Sequence, residues 1–162
     1  SIPFVVRIYN HIMTIDSIQV KKLRDITGAS MMECKRALES SAGDIEKAQE
    51  YLDKQGFKIA EKKSERATRA GLVEPYIHNN SRAGALVEVL CETDFVAMNP
   101  VFRELAHDIA MQIVASDPKD LESLMSSPFI KDESKTIEEY INSKIVILGE
   151  NIKVGRFVRF QI

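Results

Sequence analysis

Between residues 16 and 56 the sequence punctuates itself three times. Asp16, Ser30 and Asp44 each stand before an apolar-periodic run, and Gly28, Gly43 and Gly56 each stand where such a run should stop. A side-chain oxygen at the N-cap accepts a free backbone N–H of the first helical turn, and a glycine adopts the left-handed C-cap conformation at little cost. Asp16 with Gln19, and Ser30 with Glu33, also have capping-box spacing. The pattern predicts three short helices. Val20, Leu23 and Thr27 mark one face of the first, Met31, Cys34 and Leu38 one face of the second, and Ile45, Ala48 and Leu52 one face of the third. Three such faces can close on one another as a bundle of about forty residues, near the lower size limit for an independent core.

Beyond this punctuation the chain changes character. Residues 57–70, FKIAEKKSERATRA, are charged, lack glycine and proline, and suit a solvated helical linker in which Glu65 and Arg69 have i,i+4 spacing. GLVEPYIH and GALVEVLC then read as two strands of a hairpin joined by NNSRA, with Pro75 placing the first at a sheet edge because proline cannot donate to a ladder. Asn99 and Pro100 have the chemistry of N-cap and N1, and Phe102, Leu105, Ala106, Ile109, Ala110 and Ile113 follow at helical spacing. His107, Asp108 and Met111 fall largely off that stripe. Asp117-Pro118 predicts another short helix, SSPFIKDES a loop, and Thr136 with Glu139 a helix over 136–147. NIKVGRFVRFQI predicts a closing strand with Gly155 at a bulge. The expected fold is α+β: an N-terminal arm or processing remnant (1–14), a three-helix module (15–56), a helical linker (57–70), and a core (71–162) of three antiparallel strands packed with helices.

Charge and cysteine usage narrow the function classes. Lys and Arg number 22 against 24 Asp and Glu, a formal net charge of −2. That removes the simplest argument for direct nucleic-acid binding, which needs a basic surface. Two cysteines outside any CxxC pair, and three scattered histidines, give no metal-ligand spacing and fit a reducing compartment. No apolar run approaches the roughly eighteen residues of a membrane span.

The stretch CETDFVAMNP holds the candidates for chemistry. Cys91, Asp94 and His107 have the residue types of a nucleophile, an orienting acid and a base. However, Cys91 ends a strand while His107 lies two turns into the next helix, and such sites are recognised by geometry. Glu92 and Asp94 alternate along an extended segment; two carboxylates make a weak magnesium site, and acids are favourable beside a helix N-terminus in any case. Phe95 has two readings, a core residue folded under the helix or an exposed wedge at a loop tip. Met31 and Met32 are adjacent on a helix, so one can face the core while the other is an adaptable apolar contact or packs against the linker.

Four ordered stretches resemble one family. LRDITGASMMECKRALESSAGDIEKAQEYL (23–52) resembles the N-terminal module of the elongation factor Ts family, and VEVLCETDFVAMN (87–99) its core signature. AHDIAMQIVAS (106–116) and GENIKVGRFVRF (149–160) are similar to later family segments. Departures stand at Leu90, where asparagine is usual in the family, at Met98, where a basic or polar residue is usual, and at Gly155. The likeness covers one core unit, as in a short form of the family. It implies a module similar to a ubiquitin-associated three-helix fold, and a guanine nucleotide exchange factor without cofactor, metal or covalent step of its own. The implied partner is the GTPase elongation factor Tu, in its GDP-bound and nucleotide-free states. Leu23, Thr27, Met31 and Met32 match positions that make or support one contact. Thr93, Asp94, Phe95 and Val96 match the segment presented beside the partner's magnesium and phosphate site, with His107 and Met111 as flanking positions. A homodimer is implied as an option for short forms. The implied compartment is the bacterial cytoplasm, or a mitochondrion or plastid. Two other readings remain at this point: a helical binding module carried on an α+β scaffold, and a thiol enzyme using Cys91.

Overall fold

The computed structural model describes residues 14–162, so the arm expected over 1–14 lies, but for Thr14, outside the described residues. The chain divides into two compact units between Lys54 and Gln55. In the first, α1 (Ser17–Thr27), α2 (Met31–Ser40) and the start of α3 (Ile45–Lys63) enclose Val20, Leu23, Cys34, Ala37, Leu38 and Ala48, all buried. Ser30 and Glu33 form the full capping box. Asp16 caps α1 by accepting from the Ile18 N–H, but Gln19 does not reach back; its side-chain amide donates to the Gly43 carbonyl at 3.1 Å and ties α1 to the α2–α3 turn. Gly28 ends α1 in the left-handed conformation, as expected.

Gly56 does not end the third helix. α3 runs through it to Lys63, and only residues 57–63 of the expected linker are helical. A glycine inside a helix costs about 1 kcal/mol. Packing offsets this: Ala60, one turn further on, is buried in the core of the second unit.

In the second unit, β1 (Ala70–Ile77), β2 (Ala83–Cys91) and β5 (Lys153–Gln161) form an antiparallel sheet with β2 in the middle. Pro75 lies on the edge strand β1 opposite Leu86, where its missing N–H costs nothing to the ladder. The bulge expected at Gly155 is present. Pairing jumps from Val87 with Phe157 to Val89 with Val154, so Gly155 and Arg156 together oppose Glu88. A Cβ at Gly155 would stand 3.0 Å from that of Glu88. Glu88 accepts from the Arg156 backbone N–H and guanidinium, which holds its carboxyl down to about 2.

Alternation aims Ala85, Val87, Val89 and Cys91 at one helical layer. The short α4 (Asp94–Ala97) leads into α5 (Pro100–Ser116), whose whole predicted stripe is buried, with Asn99 and Pro100 at its start. α6 (Leu121–Ser126), the hairpin β3 (Pro128–Phe129) with β4 (Asp132–Thr136), and α7 (Ile137–Leu148) cover the other side of α5.

Three expectations change here. The stretch expected as a loop forms the β3–β4 hairpin. The next short helix starts later than Asp117-Pro118: Asp117 ends α5 with left-handed φ, and Asp120 caps α6. Asp108, expected largely off the stripe, is only 2% exposed. Its carboxylate accepts from the Tyr140 hydroxyl at 2.6 Å and from Lys131 Nζ at 2.9 Å. Gln112 beside it accepts from the Ile130 N–H and donates to the Pro128 carbonyl, so the hairpin is latched to α5. Burial and the hydrogen bond to Asp108 raise the Tyr140 pKa. Tyr140→Phe removes a donor from a buried carboxylate. It is expected to cost about 1–3 kcal/mol, read as a lowered urea midpoint at unchanged slope.

Candidate protein-docking site

The site is built on the turn between β2 and α5. Thr93 is the N-cap of α4, its hydroxyl accepting from the Val96 N–H. A second residue, 57 positions away, holds the same threonine. Glu150 accepts from the Thr93 N–H at 2.9 Å through one carboxylate oxygen and from its hydroxyl through the other. The neighbouring Asn151 is buried; its N–H donates to Glu92 at 2.8 Å and its side-chain amide to the Ser64 and Arg66 carbonyls. Arg66 in turn lies 3.6 Å from Glu92. Glu92 is therefore a tie between segments and not one of a pair of solvated acids.

On this braced turn Val96 and Ala97 point into the core, while Asp94 and Phe95 do not. Phe95 is 84% exposed. The reading as a core residue folded under the helix does not hold. Met98, one helical turn on, is also exposed, so the knob has two apolar members. Asp94 lines an open cleft of about 350 Å³ with Arg69, Gly71, Val73, Glu88 and Leu90, so the departure at Leu90 stands beside the candidate acid.

The flanking candidates are placed differently. His107 is exposed on α5, with its ring edge-on to Tyr76 and Nδ1 3.7 Å from Glu74. Met111 lines another groove, with Tyr76, His78 and Arg159, toward the opposite end of β1 from the Asp94 cleft. Among the described residues no imidazole bonds Cys91. Its Sγ donates to the Thr93 carbonyl, and burial, followed by the Glu150 charge, pushes the thiol up to about 11. The thiolate is the nucleophile, so Cys91 is expected to resist iodoacetamide in the native protein at pH 8, as read by intact mass. Among the described residues no cluster of three His, Cys, Asp or Glu can hold a metal ion, and no helix is long and apolar enough to cross a membrane.

In the first unit, Leu23 is fully buried, and the half-buried Thr27 donates its hydroxyl to the Leu23 carbonyl. Met31 and Met32 are both exposed, at 59% and 61%. The core face of α2 is Cys34, Ala37 and Leu38, and the expected place for Met31 on it is not taken. Met31 instead lines an apolar groove with Ile18, Lys21 and Arg24. The sequence analysis did not single out Ile18, and it marked Met98 only as a departure from the family pattern; both are exposed. The available signal was an apolar residue just off a predicted core face, next to a residue already singled out.

A family model described as Elongation factor TS matches residues 92–162. The chain is 41% identical to Elongation factor Ts of Methylacidiphilum infernorum over a 186-residue alignment, which covers 88% of this chain and 92% of the relative. It is 40% identical to Elongation factor Ts of Coprothermobacter proteolyticus, covering 93% of this chain and 99% of that protein. A chloroplastic polyprotein of EF-Ts from Oryza sativa subsp. indica is 39% identical over 93% of this chain, which spans 17% of that longer protein.

Proposed function

Because the chain belongs to the elongation factor Ts family of translation elongation factors, we propose that it is a guanine nucleotide exchange factor that releases GDP from the translational GTPase elongation factor Tu. The observation that carries this reading is Phe95: a large apolar side chain, 84% exposed, on a turn held by Thr93 and Glu150. An exposed aromatic held rigidly in place is costly to leave in water and well suited to insertion into a partner.

The mechanism follows from linkage. GDP is retained by magnesium and by backbone donors around its phosphates. A protein that binds the nucleotide-free GTPase more tightly than the GDP-bound form must weaken GDP binding by the same coupling free energy. Phe95, with Met98 beside it, is the wedge that displaces partner side chains. Asp94 brings negative charge to the metal region, while Val96 anchors and Thr93 caps the turn. Ile18, Met31 and Met32 dock the three-helix module on an apolar helical surface of the GTPase, with buried Leu23 and half-buried Thr27 supporting them. His107 is a second, flanking contact.

The test is release of a fluorescent GDP analogue from elongation factor Tu, chased with excess GDP, in the presence of catalytic amounts of this protein. Acceleration supports exchange. Its absence with a folded, matched partner sinks exchange and leaves the binding-module reading, which a pull-down then checks. The compartment that fits is one where elongation factor Tu works, the bacterial cytoplasm or an organelle.

The sheet face opposite α5 favours a second association. Val73, Ile77, Leu86, Val158 and Phe160 are exposed on it, and Ile77, Leu86, Val158 and Phe160 line an apolar hollow of about 370 Å³. We read this face as the contact for a second copy; sedimentation equilibrium giving only monomer mass at high concentration overturns that.

A further inference from the structure

We propose that Glu150 is a positioning residue for the exchange step, acting through Thr93 on the Phe95 knob, with Asn151 as its anchor; the proposal rests on the wedge reading of Phe95. Glu150 lies in the segment between α7 and β5, far from the turn in sequence, and it needs no contact with a partner for this role. α4 is a single turn of four residues. A helix that short has almost no stability of its own, since nucleation alone is unfavourable. Its direction in space must therefore come from what holds its ends.

The C-terminal end is held by burial of Val96 and Ala97. The N-terminal end depends on Glu150, whose two carboxylate oxygens take the Thr93 N–H and the Thr93 hydroxyl. The same hydroxyl accepts from the Val96 N–H, so one chain of hydrogen bonds runs from Glu150 through the cap into the turn that carries Phe95. The base of this chain is fixed independently. Asn151 joins Glu92, Ser64 and Arg66, with its backbone N–H and both side-chain bonds engaged. Hydrogen bonds to a carboxylate are the strong ones, and two from one residue fix orientation as well as distance.

Without the Glu150 carboxylate, Thr93 keeps its capping bond but loses its tether. Phe95 stays exposed, yet samples a range of directions. A misplacement of about 1 Å in a contact used at the decisive step can cost up to about a hundredfold in rate. The loss is expected in the saturating rate of GDP release. The concentration of exchange factor for half-saturation should change little, because the three-helix module still docks.

The experiment uses the full chain and elongation factor Tu loaded with the fluorescent GDP analogue. Glu150→Ala, Glu150→Gln, Phe95→Ala and the Phe95→Ala, Glu150→Ala double variant are compared, with amide exchange followed at Thr93 and Val96 in the free proteins. Glu150→Ala is expected to lower the saturating release rate by about tenfold or more and to speed exchange of both amides. Glu150→Gln, which retains an acceptor oxygen, is expected to recover part of each and keeps the test valid if the alanine variant folds poorly. In the Phe95→Ala background, Glu150→Ala should add less than about twofold, since coupled residues are non-additive. Full activity of Glu150→Ala beside a crippled Phe95→Ala overturns the positioning role alone, as does a fully additive loss in the double variant. Full activity of Phe95→Ala overturns the wedge reading, and the positioning role with it.

Discussion

Phe95→Ala is expected to slow catalysed GDP release by about 30-fold or more, equivalent to at least about 2 kcal/mol of lost interaction with the partner. The size follows from its setting. The side chain is almost wholly in water in the free protein, so its burial is available to binding alone. Its backbone is held by the Thr93 cap and the Glu150 tether, so little ordering entropy is lost when it inserts. For the same reason the substitution should leave folding nearly unchanged, within about 0.5 kcal/mol, as for other surface positions. The measurement is the release assay paired with a denaturant titration. Unchanged release sinks the wedge. A large loss of stability would instead show that Phe95 supports the fold.

Phe102→Ala is the opposite case, seven residues along. Its ring is fully buried in the second unit, among residues of the sheet and of α5 and α7. Truncation there removes transfer energy and leaves a cavity, about 3–5 kcal/mol for a buried phenylalanine. For a unit of this size that corresponds to a fall in melting temperature of roughly 13–22 °C. The check is amide exchange along β2 and α5, which should accelerate together, while α1 and α2, with their separate core, keep their protection. A loss under about 1 kcal/mol would mean that the core closes around the gap.

The contrast between these two phenylalanines shows what could be read in advance. Phe102 is legible because Leu105, Ala106, Ile109, Ala110 and Ile113 repeat its phase, and a repeated phase on one helix has a single structural solution. Phe95 is one residue on a four-residue turn, too short for any period. The sequence alone left it between core and solvent, and only the seating of Val96 and Ala97 turned it outward. Family resemblance singled out Thr93–Val96 as a contact segment, and these four residues form the cap and first turn of α4. It did not indicate that Glu150 bonds Thr93.

What the sequence determined by itself is local. The N-caps at Ser30, Asn99 and Thr136, the glycine stop at Gly28, the edge position of Pro75 and the bulge at Gly155 all involve interactions with near neighbours or with one adjacent strand. All but the Gly155 bulge, which forms against Glu88 on β2, are set by residue chemistry close by in the sequence. The tertiary structure decided the rest. Gly56 stays helical because Ala60 is needed in a core built from later residues. Asp108 is buried because Lys131 and Tyr140, 23 and 32 positions away, bring it a cation and a hydroxyl. SSPFIKDES becomes a hairpin because Gln112 on α5 satisfies its backbone. In each case the free energy of a residue depends on partners far along the chain, which no local pattern specifies.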